Sequence, residues 1–254
     1  MHAREPGTAM IRLEGASKLR VQGDSAFELL VPAFAVAPGE LVAVVGPSGC
    51  GKSTLLDMLA LVMEPTTMAR FEFDVGGPGE GALDVRALWE RADEAALAAL
   101  RRDHLGYVLQ TGGLLSFLSV YDNIALPGRI QGRADDAERL ARLAARLGLR
   151  DCLGRMPSAL SIGQRQRAAI LRALAHRPRL VLADEPTAAV DKARARSIID
   201  DMEALARDEA VAVVVVTHDL DLLAGRADRS YTFELTRVSE QRTRALCRRV
   251  EAWP

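Results

Sequence analysis

Three short stretches of this 254-residue chain hold residues whose types and spacing can do chemistry together. Gly46-Pro47-Ser48-Gly49-Cys50-Gly51-Lys52-Ser53, followed by Thr54, fits the pattern G-x-x-x-x-G-K-[ST]. Such a loop curls its backbone N–H groups around phosphate, sends its lysine to the β- and γ-phosphates, and places a hydroxyl on Mg²⁺. Lys18, Lys52 and Lys192 are the only lysines among 33 basic residues, so the lysine inside the glycine-rich loop stands out. Leu180–Ala183 runs apolar into Asp184 and Glu185. Here Asp184 is expected to hold Mg²⁺ through water and Glu185 to polarise an attacking water as general base. His218 follows Ala210–Val216 and Thr217, and is expected to hold Glu185 and the water in line.

These groups need a scaffold that brings them to one place. Leu41–Val45, Leu180–Ala183 and Ala210–Val216 read as buried parallel strands, each followed by a polar or glycine-containing loop. Ligands of open α/β sheets bind at the carboxyl ends of strands, so the three loops should converge. The phosphate loop is followed by an apolar helical stretch, Thr54 to Met63, whose N-terminus suits an anion. Ile11 to Ala37 reads as extended antiparallel structure ending at Pro38-Gly39, and Gly76 to Gly81 as a glycine-rich loop. A helix is expected from Val85 to Arg102. A second runs from Asp135 to Leu147 with Leu140, Leu143, Ala144 and Leu147 on one face and Gly148 as its stop. Asp191 can cap a helix with Ala195, Ile198, Met202 and Leu205 on its apolar face. The fold class is α/β: a P-loop core with a parallel sheet, an N-terminal antiparallel β part and an inserted helical part.

Composition narrows the classes. A net charge of −1 gives no footprint for nucleic acid, and none is expected as a partner. Cys50, Cys152 and Cys247 lack metal-ligand spacing and fit a reducing compartment. Met1 to Thr8 has no apolar signal-peptide core, and Ala210–Val216 is far shorter than the roughly 20 residues of a membrane span. Membrane contact is therefore expected only through a partner.

Leu160-Ser161-Ile162-Gly163-Gln164 opens a further helix, expected to run to His176 before Pro178. Together with the phosphate loop, Gln110, Asp184-Glu185, Asp191 and His218, this order resembles the ABC ATPase family from about Ile11 to about Phe233. The resemblance implies a single ABC ATPase domain over 1–254, with its core at about 1–105 and 165–254 and a helical subdomain at about 106–164. It implies two such domains dimerising head to tail, each ATP held between the phosphate loop of one and Ser161, Gly163 and Gln164 of the other. Asp191 then serves communication between the sites, and Gln110 senses Mg²⁺ and links to transmembrane permease subunits. ATP and Mg²⁺ are the implied cofactors, and the cytoplasmic face of the inner membrane the implied location.

The chain departs from the family pattern at Ile162, where a glycine is usual and a branched residue disfavours positive φ. Ala188-Ala189-Val190 precedes Asp191. Arg20 falls where the family places an aromatic adenine platform. Gln110 to Pro127 resembles the lipoprotein-releasing, macrolide-efflux and cell-division branch, with only a short charged tail expected after about Leu235. Within that stretch Leu114, Leu115, Phe117, Leu118 and Tyr121 are candidates for a partner groove. An importer ATPase and a non-hydrolysing regulator are the alternatives.

Overall fold

The structure is a computed structural model that describes residues 9–76, 81–188 and 190–250. Met1 to Thr8, most of the Gly76–Gly81 loop and Ala189 lie outside the described residues.

Strands β1 (Ile11–Gln22) and β2 (Ser25–Val36) form the expected antiparallel hairpin. Then follow β3 (Leu41–Val45), α1 (Lys52–Leu59), β4 (Arg70–Phe73), β5 (Leu83–Asp84), α2 (Val85–Glu90), α3 (Glu94–His104) and β6 (Leu105–Val108). Next come α4 (Val120–Ile130), α5 (Ala137–Arg146), α6 (Ile162–Ala175), β7 (Leu180–Asp184), α7 (Lys192–Asp208), β8 (Ala212–Thr217), β9 (Arg229–Arg237) and β10 (Arg242–Val250). Among the described residues these strands form one sheet, ordered β5-β4-β1-β2-β10-β9-β3-β8-β7-β6. No helix among them is long and apolar enough to cross a membrane.

The centre of the sheet explains the buried Val and Leu runs. β9, β3, β8, β7 and β6 are parallel neighbours, with helices on both faces. Alternate residues serve opposite cores, as the two-residue period of a strand requires. Leu41, Ala43, Val45, Val213 and Val215 face the core shared with α4 to α7. Val42, Val44, Val214 and Val216 face the core shared with α1, α3 and the β1–β2 hairpin.

Four elements differ from the sequence expectation. The helix after the phosphate loop ends at Leu59 rather than Met63, because Leu61 turns to φ 58. The helix expected from Val85 to Arg102 is two. Ala92 has φ 51, and the Asp93 side chain caps α3 by accepting from the Ala96 N–H. Leu105–Val108 pair with β7 as the edge strand, so the start of the inserted helical part at about 106 falls inside the sheet. The expected charged tail after Leu235 is instead the end of β9 and all of β10, which lies between β2 and β9. Ala245 and Cys247 of β10 point into the core while Arg248 and Arg249 are exposed.

Candidate nucleotide site

The phosphate loop joins β3 to α1 at the centre of the sheet. Gly49 has φ 78 and Gly51 φ 105, conformations that side chains other than glycine resist. At Gly51 an added Cβ would also lie 3.2 Å from the Phe27 ring. The Cys50 side chain points away from the loop's open side and is buried in the core with Leu55 and Phe233. Lys52 is 6% exposed, and its Nζ donates to the Gly46 and Pro47 carbonyls at 2.7 and 2.9 Å.

The loops after β7 and β8 close on the same place. Lys52 Nζ is 4.0 Å from Glu185 Oε1, and the Ser53 hydroxyl donates to Asp184 Oδ2 at 3.4 Å. His218 Nδ1 lies 2.9 Å from Glu185 Oε2. Adjacent parallel strands of matched register produce this: Asp184 of β7 stands opposite Val216 of β8, and Val45 of β3 opposite Thr217. Glu185 has φ 43 and its N–H donates to the Val216 carbonyl at 2.9 Å. A left-handed non-glycine residue costs about 1–3 kcal/mol and persists where the surroundings impose it. Here it turns the carboxylate between Lys52 and His218.

Burial and, second, the neighbouring Glu185 raise the Asp184 carboxyl above the ordinary carboxylate range. Burial and Asp184 do the same to Asp57. This excess of negative charge beside the Ser53 hydroxyl suits a cation. Among the described residues, however, no group of three or more His, Cys, Asp or Glu side chains forms a complete metal cage.

A cleft of about 920 Å³ opens over the phosphate loop and extends to the β1–β2 hairpin. Gln110, Ser53, Asp184 and Glu185 line its inner part, Arg20 its outer part. Two contributors went unread in the sequence. Phe27 stands opposite Arg20 across the hairpin and is an aromatic wall of the cleft. Gln241, in the turn between β9 and β10, lines the far side, and its carbonyl accepts from Ala26 N–H at 2.7 Å. Both depend on cross-strand register, which no local pattern encodes.

Ser161, Gly163 and Gln164 do not reach this cleft. They line a separate hollow of about 220 Å³ with Arg167 and Arg194. Ser161 caps α6 and Gln164 returns the bond to the Ser161 N–H, a capping box. Ile162 is the first residue of α6 and is not among the positive-φ residues, so the backbone strain expected there does not arise. Its side chain is 48% exposed. Asp191 caps α7 by accepting from the Arg194 N–H.

A phosphate loop, a carboxylate-ended neighbouring strand and a histidine on the next strand, on one parallel sheet, define a P-loop nucleotide hydrolase. The family profile described as ABC transporter matches residues 31–188, and the chain belongs to that family. It is 41% identical over 233 residues to a lipoprotein-releasing system ATP-binding protein, LolD 1, of Rhodospirillum rubrum, covering 91% of this chain and 97% of that protein. It is 42% identical over 205 residues to a macrolide export ATP-binding/permease protein, MacB, of the same organism. That match covers 80% of this chain and 29% of the longer protein. Among solved structures, a dimeric bacterial ABC transporter cassette matches with a TM-score of 0.70 at 29% identity, covering 88% of this chain and 94% of that one. The same cassette in a post-hydrolysis state bound to ADP and Pi matches with a TM-score of 0.68 at 30% identity. The chain is thus an ATP-binding, ATP-hydrolysing subunit of the ABC transporter class, LolD-like in sequence.

Proposed function

We propose that this chain hydrolyses Mg-ATP within a head-to-tail pair of copies and thereby drives transmembrane permease subunits in lipoprotein release or efflux. The observation that carries this reading is Glu185, held between the Lys52 ammonium at 4.0 Å and the His218 ring at 2.9 Å.

In this reading the phosphate-loop N–H groups and Lys52 bind the β- and γ-phosphates. Ser53, Asp184 and Gln110 hold Mg²⁺, which neutralises charge on the phosphates. Glu185 accepts the proton of the attacking water, and His218 orients the carboxylate. Arg20 and Phe27 hold the base end. Ser161, Gly163 and Gln164 of one copy meet the nucleotide of the other, because the capped N-terminus of α6 presents N–H groups to an anion. Their distance from the chain's own cleft supports a site completed in trans, and Asp191 lies beside that junction. The domain division follows: a core that includes β6 up to Val108, and a helical subdomain from there to about 164. The complex sits on the cytoplasmic face of the inner membrane, held there by its permease partners.

The test is Glu185→Gln, which removes the base and keeps the shape. We expect ATP affinity to persist, phosphate release to fall about 10²–10⁴-fold, and light scattering to report an ATP-dependent dimer. Wild-type turnover in the variant would sink the assignment of the base; a strictly monomeric variant with ATP bound would sink the paired site.

A further inference from the structure

The base end of the cleft carries more charge than stacking on a purine requires. Arg20 of β1 stands opposite Phe27 of β2, and Phe27 stands opposite Thr243 of β10. Residues paired across neighbouring strands point to one face, so the three form a row along the cleft. The row meets the phosphate loop, because the Phe27 ring lies against Gly51. Glu240, in the turn between β9 and β10, lines the same cleft. That turn is tied down at several points. Arg237 donates to the Ser239 and Glu240 carbonyls at 3.4 and 3.3 Å, and the Gln241 carbonyl accepts from Ala26 N–H at 2.7 Å. Arg20 and Glu240 are both exposed, and among the described residues neither charge is held in an ion pair.

We propose that these two charges select guanine, so that the chain binds and hydrolyses GTP in preference to ATP. The inference rests on the reading above that the cleft holds a nucleoside triphosphate by its phosphates, and it names the base. The reaction is unchanged: water adds to the γ-phosphorus, its proton passes to Glu185, and the bond to the bridging oxygen breaks to leave GDP and phosphate. The Phe27 ring can hold any purine, since every base has a π-face, so selection must come from the base edges. Guanine offers two acceptors side by side, O6 and N7, to which an arginine donates as a bidentate pair. Adenine offers N7 beside an N6 amine, so the second guanidinium N–H meets another donor. On its Watson–Crick edge guanine presents N1–H and N2–H, two donors for one carboxylate, whereas adenine turns the N1 lone pair toward it. An arginine and a glutamate without partners of their own thus match guanine on both edges and mismatch adenine on both.

The experiment uses the full chain and reads the base in two ways. Calorimetry with ADP, GDP and IDP measures binding without turnover, and phosphate release from ATP and GTP measures hydrolysis. GDP is expected to bind about tenfold tighter than ADP, the scale of one bidentate base contact in an open site. IDP should fall between them, because hypoxanthine keeps O6, N7 and N1–H but lacks the N2 amine. The KM for GTP should be about tenfold below that for ATP with kcat alike, since the base is held equally before and during the reaction. Arg20→Tyr keeps a surface for stacking and should cut the preference for IDP over ADP to about twofold or less. Glu240→Gln should do the same to the preference for GDP over IDP. Thermal melts report that both variants fold. Equal or tighter binding of ADP by the wild type overturns the proposal, and so does a guanine preference that survives both substitutions. A guanine preference in binding with no turnover of either triphosphate would uphold the selection of the base and sink the hydrolase reading instead.

Discussion

Lys52 shows how much one side chain depends on its loop. Its ammonium is almost fully buried and sits on the Gly46 and Pro47 carbonyls, 4.0 Å from Glu185. It therefore stands ready as the one cation inside a loop of N–H donors, where polyphosphate charge would otherwise be uncompensated. Lys52→Ala is expected to abolish tight ATP binding, with calorimetric affinity falling by at least about 100-fold, the scale of a charged hydrogen bond left unmade. Unchanged affinity would reduce the loop to a turn. Glu185 makes a complementary point. Its type and place after Asp184 were legible in the sequence, whereas its φ of 43, which turns the carboxylate toward His218, was not. The same holds for Phe27. Its composition says only "strand", and its role comes from standing opposite Arg20 beside a glycine that leaves room for the ring.

At the scale of elements, legibility followed burial. β3, β7 and β8 announce themselves as continuous Val, Leu and Ala runs, because strands covered on both faces have no polar face to show. β10 hides because Arg242, Arg244 and Arg248 stand on its outward face, so two buried residues, Ala245 and Cys247, are masked as a charged tail. The break between α2 and α3 hides because alanine-rich sequence is helical on both sides, and only the Asp93 cap and the left-handed Ala92 divide it. The packing of α6 on β6 is tight at Gly106. A Cβ at Gly106 would lie 2.2 Å from the Ala173 carbonyl oxygen, a backbone atom that cannot rotate away. Gly106→Ala should therefore lower stability by about 1–3 kcal/mol, visible as a reduced chemical-denaturation midpoint; an unchanged midpoint would mean that α6 can slide. The same junction carries pH sensitivity. His176, 5% exposed, closes α6 with Nε2 at 3.0 Å from the Leu105 carbonyl oxygen, and burial lowers its pKa; burial also lowers that of His104. A histidine harder to protonate folded than unfolded adds nothing above its unfolded pKa of about 6.5 and destabilises as pH falls below it, since the unfolded chain then binds more protons. Denaturation midpoints should fall between about pH 6.5 and 5, and fall less in His176→Gln. A flat profile in the wild type would show that neither histidine is linked to folding.

For the whole molecule the question is where the proposed drive on a permease would leave it, and the segment after Gln110 offers a concrete candidate. Its five apolar residues divide in the structure. Leu114 and Tyr121 pack against the core shared with α4 to α7, and Leu115 lines a hollow between α3, β6, α4 and α6. Leu118 is half-buried, while Phe117 is 73% exposed. The loop that displays Phe117 is tied down from below. Fully buried Asn123 accepts from the Leu115 N–H at 2.7 Å and donates to the Leu115, Leu118 and Ser119 carbonyls at 3.0 to 3.1 Å. A benzyl group held out to solvent by a buried amide network adds nothing to the core, and exposed aromatic rings on ordered loops commonly anchor partners. Phe117→Ala should therefore leave the melting temperature within the small range usual for surface changes, about ±0.5 kcal/mol. ATP binding should be retained, because the ring touches neither the phosphate loop nor Asp184. Co-purification with the membrane subunits should weaken by about tenfold or more, the scale of an interface anchor lost. Leu118→Asp is the harsher companion, since its half-buried position puts folding at stake as well. Normal assembly of a stable Phe117→Ala protein would move the docking surface away from this loop. A large drop in the melting temperature would show that the ring is packed in solution and that the segment belongs to the core.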